Sequence, residues 1–287
     1  MSKEESGSRT WPVFLAYAVG FLGELLGGVL FVGVAAWLRV HGDASKVADE
    51  ATRFALSVQG LMGAALVGAA VLLGVAWGTA RWMGGGVRAR LRTGPSLASA
   101  VGVVAAMIGT AGLSLACGSA AQLVRVGEGN VMHALAESLQ HATPLTYASA
   151  VVCIGIVPAL GEESFFRGLM QTRLSARWPR WAAIATTAAA FGLLHLDPVQ
   201  GTLAFTVGLY LGWIAERFGG IRPAIAAHAA NNVLFVTLAC FGSAGDAAGA
   251  SPRGAAAAVL IVGLTACGGS IAILRTPLAL RSSISAS

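Results

Sequence analysis

The amino-acid sequence contains eight long apolar runs separated by short polar gaps. They cover residues 12–38, 54–79, 95–118, 145–171, 181–196, 199–217, 221–242 and 254–274. About 20 apolar residues cross a bilayer as an α-helix, and in lipid only helices and closed barrels satisfy all their backbone hydrogen bonds. Charged residues make up 11% of the chain, against about 25% in a soluble domain. The runs therefore predict an all-α integral membrane protein with about eight transmembrane helices.

The distribution of positive charge predicts the orientation of these helices. With the N-terminus inside, 13 of the 19 Lys and Arg residues fall in cytoplasmic segments and 5 in external segments, while Arg167 lies within a run. This bias predicts that both termini are cytoplasmic. The net charge of +6 is therefore explained by topology. Because no basic tract is interleaved with aromatic residues, we expect no nucleic-acid partner.

Two smaller patterns predict local structure. Gly23-x-x-x-Gly27 and Gly208-x-x-x-Gly212 place glycines one helical turn apart, which suits close packing between helices in lipid. Between the third and fourth runs, Val131, Leu135 and Leu139 recur at every fourth position. This spacing predicts a short helix, either on the outer membrane interface or in a solvated loop.

The fourth run carries Glu162, Glu163 and Arg167 in otherwise apolar surroundings. Ionisable side chains at membrane depth are costly and usually face a bundle interior or a wet cavity. Glu163 and Arg167 are four residues apart, so we expect them to pair on one helix face. Glu162 points about 100° away and has no charged partner at helical spacing, which suits a general base or acid. Pro158 and Gly161 are expected to loosen the helix just before these residues and to admit water.

Two further runs carry histidines. The fifth run ends in Phe191-x-x-x-His195, and the seventh contains His228-x-x-x-Asn232, whose two side chains share a helix face. Taken singly, His195 is typical of an interfacial residue near a helix end. The His228–Asn232 pair is typical of polar contacts between membrane helices.

Polar groups of this kind in three separate runs favour a shared hydrolytic site. Glu162 and His195 could deprotonate a water, and His228 and Asn232 could donate to the oxyanion of a tetrahedral intermediate. The sequence contains no G-x-S-x-G and no H-E-x-x-H motif, so the usual serine hydrolase and zinc protease signatures are missing.

Together the three motifs resemble those of a known family. E-E-x-x-x-R, F-x-x-x-H and H-x-x-x-N occur here in the order and spacing found in the type II CAAX prenyl endopeptidases and their bacterial relatives, the CPBP (Abi) intramembrane proteases. The resemblance covers about residues 145–242. It implies a CAAX-protease-like core of membrane helices that carries the catalytic residues, and it implies a protease.

The resemblance also implies roles for individual residues. Glu162 with His195 would activate the water, and His228 with Asn232 would stabilise the oxyanion. The Glu163–Arg167 pair would support them. A glutamate-activated water without a cofactor is favoured, since Asn232 suits an oxyanion donor better than a zinc ligand. The alternative is a zinc enzyme in which Glu162 and the two histidines bind the metal.

The chain divides into three parts on this basis. Residues 1–144 hold three transmembrane helices of unassigned role, residues 145–242 hold the catalytic core, and residues 243–287 hold a last transmembrane helix and tail. The Ala-, Gly- and Arg-rich composition is typical of a GC-rich bacterial genome, so we expect a multi-pass protein of the bacterial inner (cytoplasmic) membrane and no prenylated substrate.

The expected function is an intramembrane endopeptidase that cuts a membrane-anchored protein or peptide. The processing of C-terminal sorting or anchor segments is one such role. Two other classes remain open from the sequence. One is a non-enzymatic membrane immunity or scaffold protein, and the other is a transporter that uses the Glu and His groups as a proton relay. The inverted repeats typical of many transporters are not found in the sequence.

Overall fold

The computed structural model describes residues 10–126, 131–140, 142–242 and 252–280, and only the backbone of residues 131–134 and 252. The helices are α1 Trp11–Arg39, α2 Val47–Ala55, α3 Val58–Trp82, α4 Val87–Arg90, α5 Ala100–Leu123, α6 Val131–Leu139, α7 Pro144–Ser175, α8 Arg180–Leu194, α9 Pro198–Arg217, α10 Arg222–Phe241 and α11 Pro252–Arg275. Within the described ranges, the only extended pairing is an isolated bridge between Ala98 and Leu280. The predicted all-α membrane fold is confirmed.

All eight predicted apolar runs are helical. Among the described residues, six helices are long and apolar enough to cross a membrane, namely α1, α3, α5, α7, α10 and α11. The other two, α8 and α9, pack against each other as a hairpin. The count of eight crossings and the cytoplasmic placement of both termini remain predictions, and residues 1–9 and 281–287 lie outside the described ranges.

Capping residues explain why the second and third runs become helical later than predicted. The hydroxyl of Ser57 accepts a hydrogen bond from the Gly60 amide at 3.1 Å, and Ser99 caps α5 through the Gly102 amide at 3.0 Å. A serine at this position satisfies an amide that the first helical turn leaves unpaired. Residues 54–57 and 95–99 therefore precede the membrane helices instead of beginning them.

The outward faces of the long helices are apolar. Leu26 and Leu30 on α1 are 65% and 67% exposed, and Ile261 and Val262 on α11 are 64% and 65% exposed. In water, so many exposed large apolar side chains would be an aggregation hazard. In a bilayer they form the lipid-facing surface.

Helix α7 lies inside the bundle, in contact with α1, α3, α8 and α10. One buried apolar cluster joins it to α1, α3 and α8, and a second joins α5, α9, α10 and α11. The bundle therefore encloses the part of α7 that follows the paired glutamates, whereas Val152, Ile156 and Leu160 before them stay exposed.

The two glycine pairs lie at close helix contacts, as predicted. A Cβ at Gly23 or Gly27 would come within 2.8 Å and 2.9 Å of valine methyls on α3. At Gly208 and Gly212 it would come within 3.2 Å and 2.7 Å of side chains on α8 and α7.

The short helix predicted between the third and fourth runs is present as α6. Leu135 and Leu139 are buried in a cluster with Ala150 of α7 and Val236 of α10. The apolar positions of α6 therefore pack on the bundle, and its location on the membrane interface or in a solvated loop stays a prediction. Val131 belongs to the stretch described by its backbone alone.

Candidate active site

The backbone of α7 is irregular on both sides of its paired glutamates. Two π-helical stretches, Val151–Ile156 and Ser164–Gln171, flank a single α-helical stretch, Val157–Glu163. Pro158 cannot donate an amide hydrogen bond and so breaks the regular ladder, and π-helical turns are often found at functional sites. The admission of water next to Pro158 stays a prediction. Gly161 does not loosen the helix but allows close packing, because a Cβ there would lie 2.6 Å from the Ala69 carbonyl of α3.

Glu163 and Arg167 form the ion pair that their spacing predicts. Nη1 of Arg167 donates to Oε1 of Glu163 at 2.6 Å, and both side chains are 0% exposed. Nη2 of Arg167 donates to the Gly208 carbonyl of α9 at 3.1 Å, and the guanidinium lies over the Phe191 ring at 4.8 Å.

This buried pair is incompletely satisfied. Oε2 of Glu163 and Nε of Arg167 have no hydrogen-bond partner within the described residues. Removing two charges from water costs several kcal/mol each, and apolar residues of similar volume would often be as stable. Stability alone therefore does not explain why the pair is present.

His228 lies between the two glutamates. Its Nδ1 is 2.8 Å from Oε1 of Glu163, and its Nε2 is 3.5 Å from Oε2 of Glu162. Oε1 of Glu163 already accepts from Nη1 of Arg167, and a carboxylate oxygen can only accept hydrogen bonds, so Nδ1 of His228 is the donor. The carboxylate fixes the orientation of the imidazole, and Nε2 faces Glu162.

His195 ends α8 beside the same cluster. Its Nδ1 lies 2.9 Å from the Phe191 carbonyl, which can only accept, so Nδ1 donates and Nε2 of the neutral ring keeps its lone pair. The His195 ring packs edge-on to Phe191 at 5.0 Å, and Phe191 packs edge-on to His228 at 5.7 Å. The aromatic ring of Phe191 thus joins the two histidines into one cluster.

The turn after His195 is fixed by a helix cap. Asp197 accepts from the Gln200 amide at 2.6 Å and caps α9, whose first residue is Pro198. Leu196 adopts a left-handed conformation with φ of 57°. The tight turn therefore fixes the position of His195 where α8 ends and the α8–α9 hairpin reverses direction.

The asparagines of α10 lie one helical turn beyond His228. Nδ2 of Asn231 is 3.5 Å from Oδ1 of Asn232, and both side chains are half-buried. This contact uses the carboxamide oxygen of Asn232, so its NH₂ group remains a donor on the face that it shares with His228.

The structure adds one carboxyl group that the sequence motifs did not include. Glu24 lies on α1, and its Oε1 would be 2.9 Å from a Cβ at Gly68 of α3. The Glu24 carboxyl interacts electrostatically with Glu162. Glu24 is the only Asp, Glu, Lys or Arg in the run 12–38, and an ionisable residue at membrane depth is itself a signal of function.

The proposed zinc ligands do not form a metal cluster in this arrangement. Across residues 10–126, 131–140, 142–242 and 252–280, no three His, Cys, Asp or Glu side chains are placed to hold a metal ion. The Nδ1 of each histidine is bonded to a carbonyl or carboxylate oxygen, which leaves its Nε2 as the nitrogen that could hold a metal ion or a water. The choice between a glutamate-activated water and a zinc ion stays a prediction.

Comparison with known proteins bears on this site directly. Residues 144–234 match the family model described as type II CAAX prenyl endopeptidase Rce1-like. This segment is Rce1-like. The resemblance to CPBP-family intramembrane proteases, predicted from the three motifs, is confirmed over about a third of the chain. The match spans every candidate catalytic residue and supports a CAAX-type intramembrane endopeptidase. No curated protein and no solved structure matches the chain.

Proposed function

We propose that this chain is an intramembrane endopeptidase that hydrolyses a peptide bond of a membrane-associated protein or peptide. The observation that carries the proposal is the pairing of Glu162 with His228 inside the Rce1-like segment. Glu163 and Arg167 are buried beside this pair. Their packing orients His228 and leaves Glu162 as the carboxylate that can take a proton.

Glu162 and His195 activate the water. Glu162 is 18% exposed as a side chain, and the lone pair of His195 Nε2 can hold the same water in place. The carboxylate removes one proton as the water oxygen attacks the carbonyl carbon. The same proton then passes from Glu162 to the leaving nitrogen as the C–N bond breaks. Both products leave, and Glu162 is ionised again.

His228 and Asn232 stabilise the oxyanion. Nδ1–H of His228 is held by Glu163. His228 enters the reaction already protonated from solvent, and its second N–H, on Nε2 beside Glu162, donates to the oxyanion of the reacting carbonyl and keeps its proton throughout. The NH₂ group of Asn232 is the second donor. Each such donor is worth about 10²–10³ in kcat. Glu163 and Arg167 act through His228 and do not touch the substrate.

The substrate class follows from the position of the site within apolar helices. Its scissile bond lies in or next to a membrane segment, as in a C-terminal sorting or anchor segment. The matching family is named for CAAX prenyl endopeptidases, and we propose that this chain acts on unprenylated membrane peptides. A matched pair of quenched peptides, one with a farnesylated CAAX end and one with a single unprenylated membrane span, tests this preference.

The mechanism is tested with purified protein in lipid nanodiscs. The single-span peptide is incubated with wild type, Glu162→Ala and His195→Ala, with and without 1,10-phenanthroline. Cleavage by wild type alone, unchanged by the chelator, supports the glutamate–water mechanism. Loss with chelator and recovery with zinc would make the enzyme metal-dependent. Equal cleavage by all three proteins would overturn the site assignment.

A further inference from the structure

Helix α1 lies outside the Rce1-like segment but packs directly against α7. A Cβ at Gly20 would lie 3.7 Å from the Phe165 ring, and the Tyr17 ring is 6.4 Å from Phe166. Residues with higher numbers on α1 contact residues with lower numbers on α7, so the two helices are antiparallel. One turn further along α1 therefore lies beside the turn of α7 that precedes Phe165.

That next turn of α1 carries Glu24, and the preceding turn of α7 carries Glu162. Helix α3 confirms the register, since Oε1 of Glu24 lies against Gly68 and the neighbouring Ala69 carbonyl lies against Gly161. Adjacent residues of α3 thus touch both helices at the level of the two carboxyl groups. Gly68 and Ala69 bring no charge of their own to this contact.

Two ionised carboxylates at the same level of an apolar bundle repel each other, and one proton held between them removes that repulsion. The ionisable side chain in contact with Glu162 is His228 of α10, whose Nε2 lies 3.5 Å away. Glu163 and Arg167 of α7 are paired beside it. Tyr17 of α1 packs on Phe166, and His195 at the end of α8 packs on Phe191. Arg167 forms its ion pair with Glu163 and not with Glu162.

We propose that Glu24 is a positioning residue for Glu162, with which it shares one proton. This inference rests on the proposed function. The shared proton lets Glu24 donate a hydrogen bond to Glu162, directly or through one water, and so holds the base in its reactive orientation. It also limits the pair to one negative charge while the oxyanion forms nearby. The N-terminal helices thereby complete a site whose other residues lie in the Rce1-like segment.

Infrared difference spectroscopy of the membrane-embedded protein tests the shared proton without any substrate. At neutral pH the wild type should show the C=O band of a protonated carboxyl. Glu24→Gln should remove the band, and Glu162→Gln should shift or remove it. Glu50→Gln is the control, because Glu50 pairs with Arg53 on α2. A band that survives in Glu24→Gln would overturn the proposal.

Cleavage of the single-span peptide tests the positioning role. Gln can still donate to Glu162, so Glu24→Gln should keep kcat within about threefold of wild type. In the wild type, loss of the shared proton should change kcat at alkaline pH, and this step should be missing from the pH profile of Glu24→Gln. Glu24→Leu donates nothing and should lower kcat by about 10- to 100-fold with KM little changed, as for a lost hydrogen bond to a charged group. A merely structural role would not give rescue by Gln together with a changed pH profile.

The two levels of the argument fail differently. If Glu162→Ala is inactive while Glu24→Leu cleaves with the wild-type kcat and pH profile, Glu24 has no role and the proposed function stands. If Glu162→Ala cleaves as fast as wild type, the proposed function fails, and the infrared band still decides whether the two carboxyls share a proton.

A second site lies near the C-terminal end of α7. A cavity of about 270 Å³ opens between α4, α7 and the loop before α4, and its lining includes two arginines, Arg90 and Arg173, and no Asp or Glu. Nε and Nη2 of Arg173 are buried without a hydrogen-bond partner among the described residues. Arg90 is held in place by its bonds to the Gly84 and Met83 carbonyls at 2.7 Å and 3.2 Å.

Unpaired guanidinium donors are costly to bury, and their planar geometry matches phosphate oxygens. We propose that this cavity binds a phosphate group. In the predicted topology it lies at the cytoplasmic end of α7, level with lipid headgroups. The phosphate of an anionic lipid and free inorganic phosphate share this chemistry, and binding measurements separate the two sources.

Thermal unfolding of the detergent-purified protein is followed with short-chain phosphatidylglycerol, short-chain diacylglycerol or inorganic phosphate. Phosphatidylglycerol should raise the midpoint and diacylglycerol should not. An equal effect of inorganic phosphate would assign the site to the free ion. Arg173→Gln should weaken binding by about tenfold or more, while the exposed Arg88→Gln should not. The proposal fails if no phosphate compound raises the midpoint, or if Arg173→Gln responds like wild type.

Discussion

Removing the Arg167 guanidinium should destabilise the protein far more than removing a surface arginine. Arg167 and Glu163 are both fully buried, with 2.6 Å between their charged atoms. Arg167→Ala leaves the Glu163 carboxylate buried without its counter-charge, and breaking a buried pair in this way costs about 3–5 kcal/mol. It also frees the Gly208 carbonyl from its hydrogen bond.

The matched control is Arg53→Ala. Arg53 pairs with Glu50 at 3.0 Å, but its side chain is 69% exposed, and exposed pairs contribute about 0–1 kcal/mol. Both variants are unfolded by heat in the same detergent and compared with wild type. The double variant Glu163→Gln/Arg167→Met leaves no buried charge and should recover much of the loss.

Two results would refute this reasoning. A loss for Arg167→Ala as small as that for Arg53→Ala would mean that Glu163 is neutral or hydrated in the folded protein. A double variant less stable than Arg167→Ala would mean that the unpaired Glu163 charge is not the main cost of losing Arg167.

Three further pairs of variants each test one feature of the structure. Gly161→Ala should lower the yield of folded protein because its Cβ would meet a backbone carbonyl of α3 at 2.6 Å, whereas Gly28→Ala, with nothing within 4 Å, should fold normally when both are compared by size-exclusion chromatography. Asp197→Ala removes the cap of α9 and should cost about 0.5–2 kcal/mol in thermal unfolding, while Asp197→Ser should cost less. Asn232→Ala should lower kcat about 10²–10³-fold with little change in KM, whereas Asn231→Ala should leave kcat within a few-fold.

The helices were predictable from the sequence because lipid imposes a strong length and composition constraint. Each of the eight apolar runs became a helix, and the i, i+4 spacing of Glu163 and Arg167 became an ion pair. Capping residues such as Ser57 moved some boundaries, since composition alone does not show where a helix begins.

Convergence of the site was harder to predict. At 1.5 Å per residue, straight helices would place Glu162 about 16 Å along the helix axis from Arg173 and His228 about 9 Å from Arg222. The structure nevertheless brings the two side chains to 3.5 Å. Two π-helical stretches interrupt the α-helical geometry of α7 on either side of the glutamates, and no short sequence pattern reveals such stretches.

The role of α1 depends on tertiary contacts that a motif cannot show. Glu24 stands alone in its run, and only the antiparallel packing of α1 on α7 places it beside Glu162. The same is true of His195, whose Nδ1 is held by the Phe191 carbonyl. The sequence spacing predicted that Phe191 and His195 share a helix face, but it did not predict which ring nitrogen of His195 remains free.

Chemical rescue tests most directly the claim that Glu162 is the general base of a peptide hydrolase. Cleavage of the single-span membrane peptide is followed by mass spectrometry for wild type and Glu162→Ala, with and without sodium formate as an external carboxylate. The account predicts cleavage by wild type, none by Glu162→Ala, and partial recovery of Glu162→Ala with formate. Cleavage by Glu162→Ala at the wild-type rate without formate would contradict it.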